Sequence, residues 1–143
     1  MGIYCLGPVA ALWGSLPDAI DATALWETTG VDARTEATLE WVDGRQARIR
    51  CSFVDPEEQR IEIVGTEGAI VVGNEAHTGG GDSFDIIRPD GRIDRTQVAP
   101  GNPYLGMVEA FAATVRDEQP WPRPTTDTIE LMTLVDHIRQ ATQ

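Results

Sequence analysis

Lysine is absent. All 11 basic residues of the 143-residue chain are arginines, set against 23 acidic residues for a net charge of −12. No Schiff base, no Walker lysine and no lysine proton relay can therefore be built from this chain. Positive charge is short as well, so nucleic acid would be repelled rather than steered in. Phosphate-backbone binding is excluded as the main activity. Soft ligands are scarce: Cys5, Cys51, His77 and His137 are all there are. Two cysteines do not make a disulfide scaffold, and a structural zinc site would need nearly every one of these four. No metal site is expected. Apolar runs fall short of the roughly 20 residues that cross a bilayer, so no membrane partner is expected. No basic segment with a cleavage site marks a secreted precursor. What remains is 41% hydrophobic and 24% charged, the composition of one packed domain. The expectation is a soluble, acidic, cytoplasmic protein. Arginine in place of lysine reads either as a high-GC coding bias, which composition favours, or as a salt-adapted surface.

Hydrophobic periodicity gives the order helix, a run of strands, then two helices. Residues 1–14 carry Ile3, Leu6, Val9, Ala10 and Trp13 at helical spacing up to Gly14. Pro8 interrupts this, so the helix either starts near Pro8 or is kinked after Tyr4. From Pro17 to about Ala99 the period becomes two. Residues 19–29 read as a first strand, and residues 35–53 as a hairpin with Asp43-Gly44 at its tip. Parity decides the turn. A two-residue loop would set Leu39 opposite Arg48 and mix the two faces. A three-residue loop ending with Gly44 left-handed sets Leu39 opposite Ala47 and Glu36 opposite Arg50. One face is then Thr35, Ala37, Leu39, Trp41, Ala47, Ile49, Cys51 and Phe53. The other is Glu36, Thr38, Glu40, Gln46, Arg48, Arg50 and Ser52.

Further strands are expected at residues 60–64 and 69–72 around the turn 65–68, and at 83–88 and 92–98 around Pro89-Asp90-Gly91. Residues 73–82 form a Gly-rich loop holding His77. Residues 104–117 are an amphipathic helix with Leu105, Val108, Phe111, Ala112 and Val115 on one stripe. In the last helix Asp127 and Glu130 read as an N-terminal capping pattern, with Leu131, Leu134, Val135 and Ile138 as the buried stripe. The fold class is α+β: a mostly antiparallel open sheet, helices on one face, the Glu/Thr/Arg face open.

Spacing alone assembles no active site. The Gly-rich loop is neither a strand–GxGxxG–helix unit nor a GxxxxGK[ST] loop, so it reads as a surface loop. His77 reads as solvent-facing, and His137 as lying on the polar face of the last helix. Cys5 reads as a small buried hydrophobe. Trp13, Trp26, Trp41 and Trp121 read as core or interface aromatics. No Ser-His-Asp or Cys-His arrangement is present.

Several segments, in order, do resemble a known family. The opening Met1-Gly2-Ile3-Tyr4-Cys5-Leu6 resembles the second half of the D-x-G-x-[HY] motif of the glucose–fructose oxidoreductase, inositol dehydrogenase and MocA family. The Asp43-Gly44 tip, residues 63–70 (IVGTEGAI), residues 104–111 (YLGMVEAF), and Pro122, Pro124 and Asp127 resemble its later signature segments. Such enzymes are NAD(P)-dependent oxidoreductases in which a Rossmann domain precedes an α+β domain. The resemblance implies that residues 1–143 are that C-terminal substrate and oligomerisation domain, and that the motif's Asp stands one residue before Met1. The Rossmann domain, with its GxGxxG and its E-K-P lysine, is not in this chain, so no cofactor is expected to bind the chain alone.

Tyr4 is the residue that carries over. In the Tyr-bearing, dihydrodiol dehydrogenase-like branch this position is the acid/base at the reacting carbinol, with NAD or NADP as cofactor of the whole enzyme. A phenol is a weak acid and needs a nearby cation to act near neutral pH. Here that cation would be the lysine of the other domain; as a packed aromatic at a helix start, Tyr4 would have no such role. The expected function is thus part of a dehydrogenase for a sugar, polyol or related carbinol, assembled as a homo-oligomer through the sheet face. The alternative is a non-catalytic module that dimerises through the same face.

Overall fold

The structure, a computed structural model, describes residues 2–73, 76, 83–99 and 101–143. Its elements run α1 (Gly2–Trp13), β1 (Ala19–Trp26), β2 (Asp32–Glu40), β3 (Gln46–Ser52), β4 (Ile61–Gly65), β5 (Gly68–Val72), β6 (Ser83–Ile87), β7 (Ile93–Gln97), α2 (Pro103–Val115) and α3 (Thr125–Ala141). The expected α+β class is what is found. The strands form two antiparallel sheets, β1-β2-β3 and β4-β5-β6-β7, where the periodicity alone suggested one. The break falls at Pro56, which cannot donate a ladder hydrogen bond. The chain divides there into two compact units, Met1–Asp55 with Pro122–Gln143, and Pro56–Trp121.

In the first unit, the β2–β3 hairpin has the register that parity requires. Leu39 pairs with Ala47, Ala37 with Ile49, and Glu36 with Arg50. Gly44 sits at φ 87°, and its N–H donates to the Trp41 carbonyl while the Trp41 N–H donates to Arg45. That is a three-residue turn closed by a left-handed glycine. β1 lines up Ile20, Ala22 and Ala24 with the apolar face and Asp21 and Thr23 with the polar face.

Helices α1 and α3 cover the apolar face. Leu6 of α1, Leu131, Leu134 and Ile138 of α3, and Ala37, Leu39, Trp41 and Ile49 of the sheet form one buried cluster. Leu39 is its centre, with no exposed surface. Trp13 meets Trp41 edge-on at 6.0 Å, and the Arg45 guanidinium lies over both rings.

Of the two readings of α1, a start near Pro8 is excluded, since Pro8 lies inside a helix that begins at Gly2. Three expectations are corrected here. The first strand stops at Trp26, because residues 27–30 turn, with the Gly30 N–H on the Glu27 carbonyl. Phe53 is 65% exposed, since β3 ends at Ser52 and the apolar face ends with it. Asp127 does not cap α3. Pro124 occupies the cap position without a side-chain hydrogen bond, its fixed φ suiting the helix entry, and Asp127 falls in the first turn.

In the second unit, the β6–β7 turn repeats the hairpin logic, with Gly91 at φ 82° and the Arg88 N–H on the Arg92 carbonyl. At Gly68, φ is 130° and an added Cβ would lie 2.2 Å from the Ile87 carbonyl oxygen, so only glycine fits. Asp85 and Arg95 pair across strands through two hydrogen bonds. α2 begins where Asn102 accepts from the N–H groups of Tyr104 and Leu105, a cap the periodicity did not suggest. Its apolar stripe of Leu105, Val108, Phe111 and Val115 is exposed rather than buried. The Gly-rich segment, apart from Gly73 and Ala76, lies outside the described residues together with His77.

Candidate functional site

Tyr4 stands on the first turn of α1 and is 63% exposed. A ring so open is not part of the core of this unit. Its neighbours on the helix, Cys5 and Leu6, turn inward: Leu6 is buried and Cys5 half-buried against the core. α1 thus faces the sheet with Leu6 and offers Tyr4 to the surroundings. The amphipathic pattern of this short, nearly all-apolar helix could not make that distinction.

The other concentration of functional groups is the uncovered face of β1-β2-β3. A shallow groove of about 330 Å³ there is lined by Asp21, Thr23, Glu36, Thr38, Arg48 and Arg50 among others. Register places them in rows across the strands: Asp21–Thr38–Arg48, then Thr23–Glu36–Arg50. At the end of the face the carboxylate of Asp55 gathers two arginines. Arg34 holds it through both oxygens, with Nε 2.8 Å from Oδ2, and Arg50 donates to Oδ2 at 2.9 Å. The Ser52 hydroxyl accepts from the N–H groups of Val54 and Asp55, turning the chain so that this carboxylate meets them. Arg34, with help from Ser52 and Arg50, holds the Asp55 carboxyl well below the usual carboxylate range. Arg50 also reaches Glu36 at 3.4 Å. Among the described residues no carboxylate pairs with Arg48. The face thus carries acid on β1, a Glu36–Arg50 pair across β2 and β3, and on β3 the guanidinium of Arg48, which has no carboxylate partner among the described residues.

A second cleft, of about 270 Å³, lies between the end of α1 and the start of α3, lined by Gly14, Ser15, Arg123, Asp127 and Glu130. His137 is exposed on α3, as expected. Among the described residues no cluster of three or more His, Cys, Asp or Glu could hold a metal ion, and no helix is long and apolar enough to cross a membrane. Cys5 is half-buried rather than buried, and it lies against β3 near Cys51, a proximity that spacing gave no sign of.

Comparison with known proteins fits this architecture. Residues 1–71 match the family model of the GFO/IDH/MocA C-terminal domain, and the whole chain has that domain's α+β fold. The chain is similar to D-xylose 1-dehydrogenase (NADP(+)) 2 of Haloferax volcanii, 26% identical over 145 residues, which covers 100% of this chain and 44% of that protein. Among solved structures it resembles a 3-ketoreductase from Actinomadura kijaniata in complex with TDP-benzene and NADP. The TM-score is 0.86 at 19% identity, covering 100% of this chain and 46% of that one. It also resembles UDP-N-acetylglucosamine 3-dehydrogenase from Acidithiobacillus ferrooxidans, with TM-score 0.84 at 17% identity, covering 98% and 45%. The chain spans less than half the length of the relatives it matches.

Proposed function

We propose that the chain is the C-terminal substrate and oligomerisation domain of a cytoplasmic NAD(P)-dependent oxidoreductase acting on the carbinol of a sugar, with Tyr4 as its proton-transfer group. The observation that carries this reading is the match of residues 1–71 to the C-terminal domain model and of the whole chain to 44% of a D-xylose dehydrogenase and 46% of a 3-ketoreductase, joined to a helix that leaves Tyr4 open to a neighbour. Among the described residues, the starts of α2 and α3 do not fit a dinucleotide. α2 begins at a side-chain cap and α3 directly after Pro124, so neither opens from a strand through a glycine turn that could receive a pyrophosphate. The cofactor therefore belongs to a separate dinucleotide-binding domain, and the hydride chemistry to the assembled enzyme.

Two measurements test this. Coding sequence upstream of Met1 is expected to run in frame through a dinucleotide-binding domain ending in an Asp codon. Titration of the isolated chain with NADPH is expected to give no binding heat. A start signal directly upstream would favour the stand-alone module instead, and micromolar NADPH affinity in the chain alone would overturn the fragment reading.

The uncovered sheet face is proposed to pair with a second copy. A two-fold axis along β2 would lay Asp21 of one subunit over Arg48 of the other, opposite charges meeting across the interface. Whole-molecule repulsion at net charge −12 opposes association, and salt screens that repulsion more than it screens close pairs. The dimer is therefore expected to persist or strengthen as salt rises. Arg48→Glu with Arg50→Glu should break it, and Arg48→Glu alone should do so without disturbing the Asp55 cluster. Light scattering that shows monomer at every salt concentration, or a dimer indifferent to these reversals, removes the face from the account.

A further inference from the structure

The chain has two cysteines, far apart in sequence, and the fold brings them to one place. Cys5 is on the first turn of α1, Cys51 near the end of β3, and α1 packs on β3. Two contacts define the approach. Cys5 Sγ lies 3.6 Å from the carbonyl oxygen of Arg50, the residue immediately before Cys51. Cys51 Sγ lies 3.5 Å from where a Cβ on Gly2 would stand, and Gly2 is one helical turn from Cys5 on the same face. Each sulfur therefore rests against the backbone beside the other. Both are free and half-buried. Burial pushes both thiols up, and Cys51 raises Cys5 further, as two would-be anions that close must.

We propose that Cys5 and Cys51 form an oxidant-responsive thiol pair whose disulfide locks α1 onto β3. With hydrogen peroxide as oxidant the chemistry balances. One sulfur attacks a peroxide oxygen, an S–O bond forms, the O–O bond breaks, and a first water leaves with the thiol proton. The second sulfur attacks the resulting sulfenic sulfur, the S–S bond forms, the S–O bond breaks, and a second water leaves. The sulfur pair loses two electrons and the peroxide gains them. The first step is slow, because raised thiols supply little thiolate near neutral pH. The bond therefore records sustained rather than fleeting exposure to oxidant. It closes a loop holding β1 and β2, so it restricts the unfolded chain strongly, and it fixes the helical turn that carries Tyr4.

The test is to incubate the purified chain with hydrogen peroxide, then take an intact mass and a non-reducing peptide map. Loss of two hydrogens without added oxygen is expected, with the Cys5 peptide joined to the Cys51 peptide within one chain. The melting temperature should rise by roughly 10 °C and return on adding dithiothreitol. In Cys5→Ser or Cys51→Ser the remaining thiol should take up oxygen instead. Should either variant fail to fold, the wild-type peptide map decides alone. Separate oxygen adducts on both cysteines, linkage only between chains, or a crosslink that leaves the melting temperature unchanged would overturn the proposal.

Discussion

Replacing Tyr4 by Phe in the enzyme that carries this domain is expected to lower turnover by roughly 10²–10⁴-fold, with cofactor affinity nearly unchanged. The substitution removes one hydroxyl and keeps the ring. Because the side chain is 63% exposed, no packing is lost with it. The isolated chain should accordingly melt as the wild type does, within about 0.5 kcal/mol, the range of most surface changes. A fall in turnover without a fall in stability would separate a proton-transfer role from a structural one. A phenol acting at a carbinol needs a neighbouring cation, and this lysine-free chain supplies none of the lysine kind. Steady-state kinetics measures turnover. Turnover like that of the wild type would leave Tyr4 without a catalytic role.

Leu39→Ala is expected to destabilise the first unit by about 3–5 kcal/mol, the upper part of the range for a fully buried leucine. Leu39 has no exposed surface and sits where α1, α3 and the sheet converge, so neighbouring helices cannot close the gap without moving. Domains of this size are stable by only about 5–15 kcal/mol, so the loss would take much of the margin. Phe53→Ala provides the control. That residue belongs to the same face by parity but is 65% exposed, and its truncation should cost less than about 1 kcal/mol. Urea melts followed by circular dichroism would read both variants. Similar losses at the two positions would mean that the core is not centred on Leu39.

Much of the first unit was legible in the sequence because its determinants are local. Alternation along residues 35–53, with Gly44 after Asp43, rejects a two-residue loop and keeps apolar residues together with a three-residue one, and the structure has that register. The last helix buries Leu131, Leu134 and Ile138 as its periodicity requires. Tyr4 is a candidate only through the family resemblance, since one tyrosine in a short apolar helix carries no pattern of its own.

The same periodicity misled at α2. Leu105, Val108, Phe111 and Val115 make as good a stripe as that of α3, yet they are exposed. A period reports that a helix has an apolar face and is silent on what covers it. The capping pattern failed at Asp127 for a similar reason, because the fixed φ of Pro124 starts the helix before the acid can cap it. The sequence by itself thus determined the α+β class, the hairpin register and the sign of the charge. The tertiary structure alone decided that Asp55 would gather Arg34 and Arg50, and that Cys5 would rest beside Cys51. Those contacts join residues from different elements, and their meeting depends on how the chain turns at residues 53–55 and on how α1 lies across β3. No nearest-neighbour pattern encodes either, because both are settled by the packing of one buried cluster.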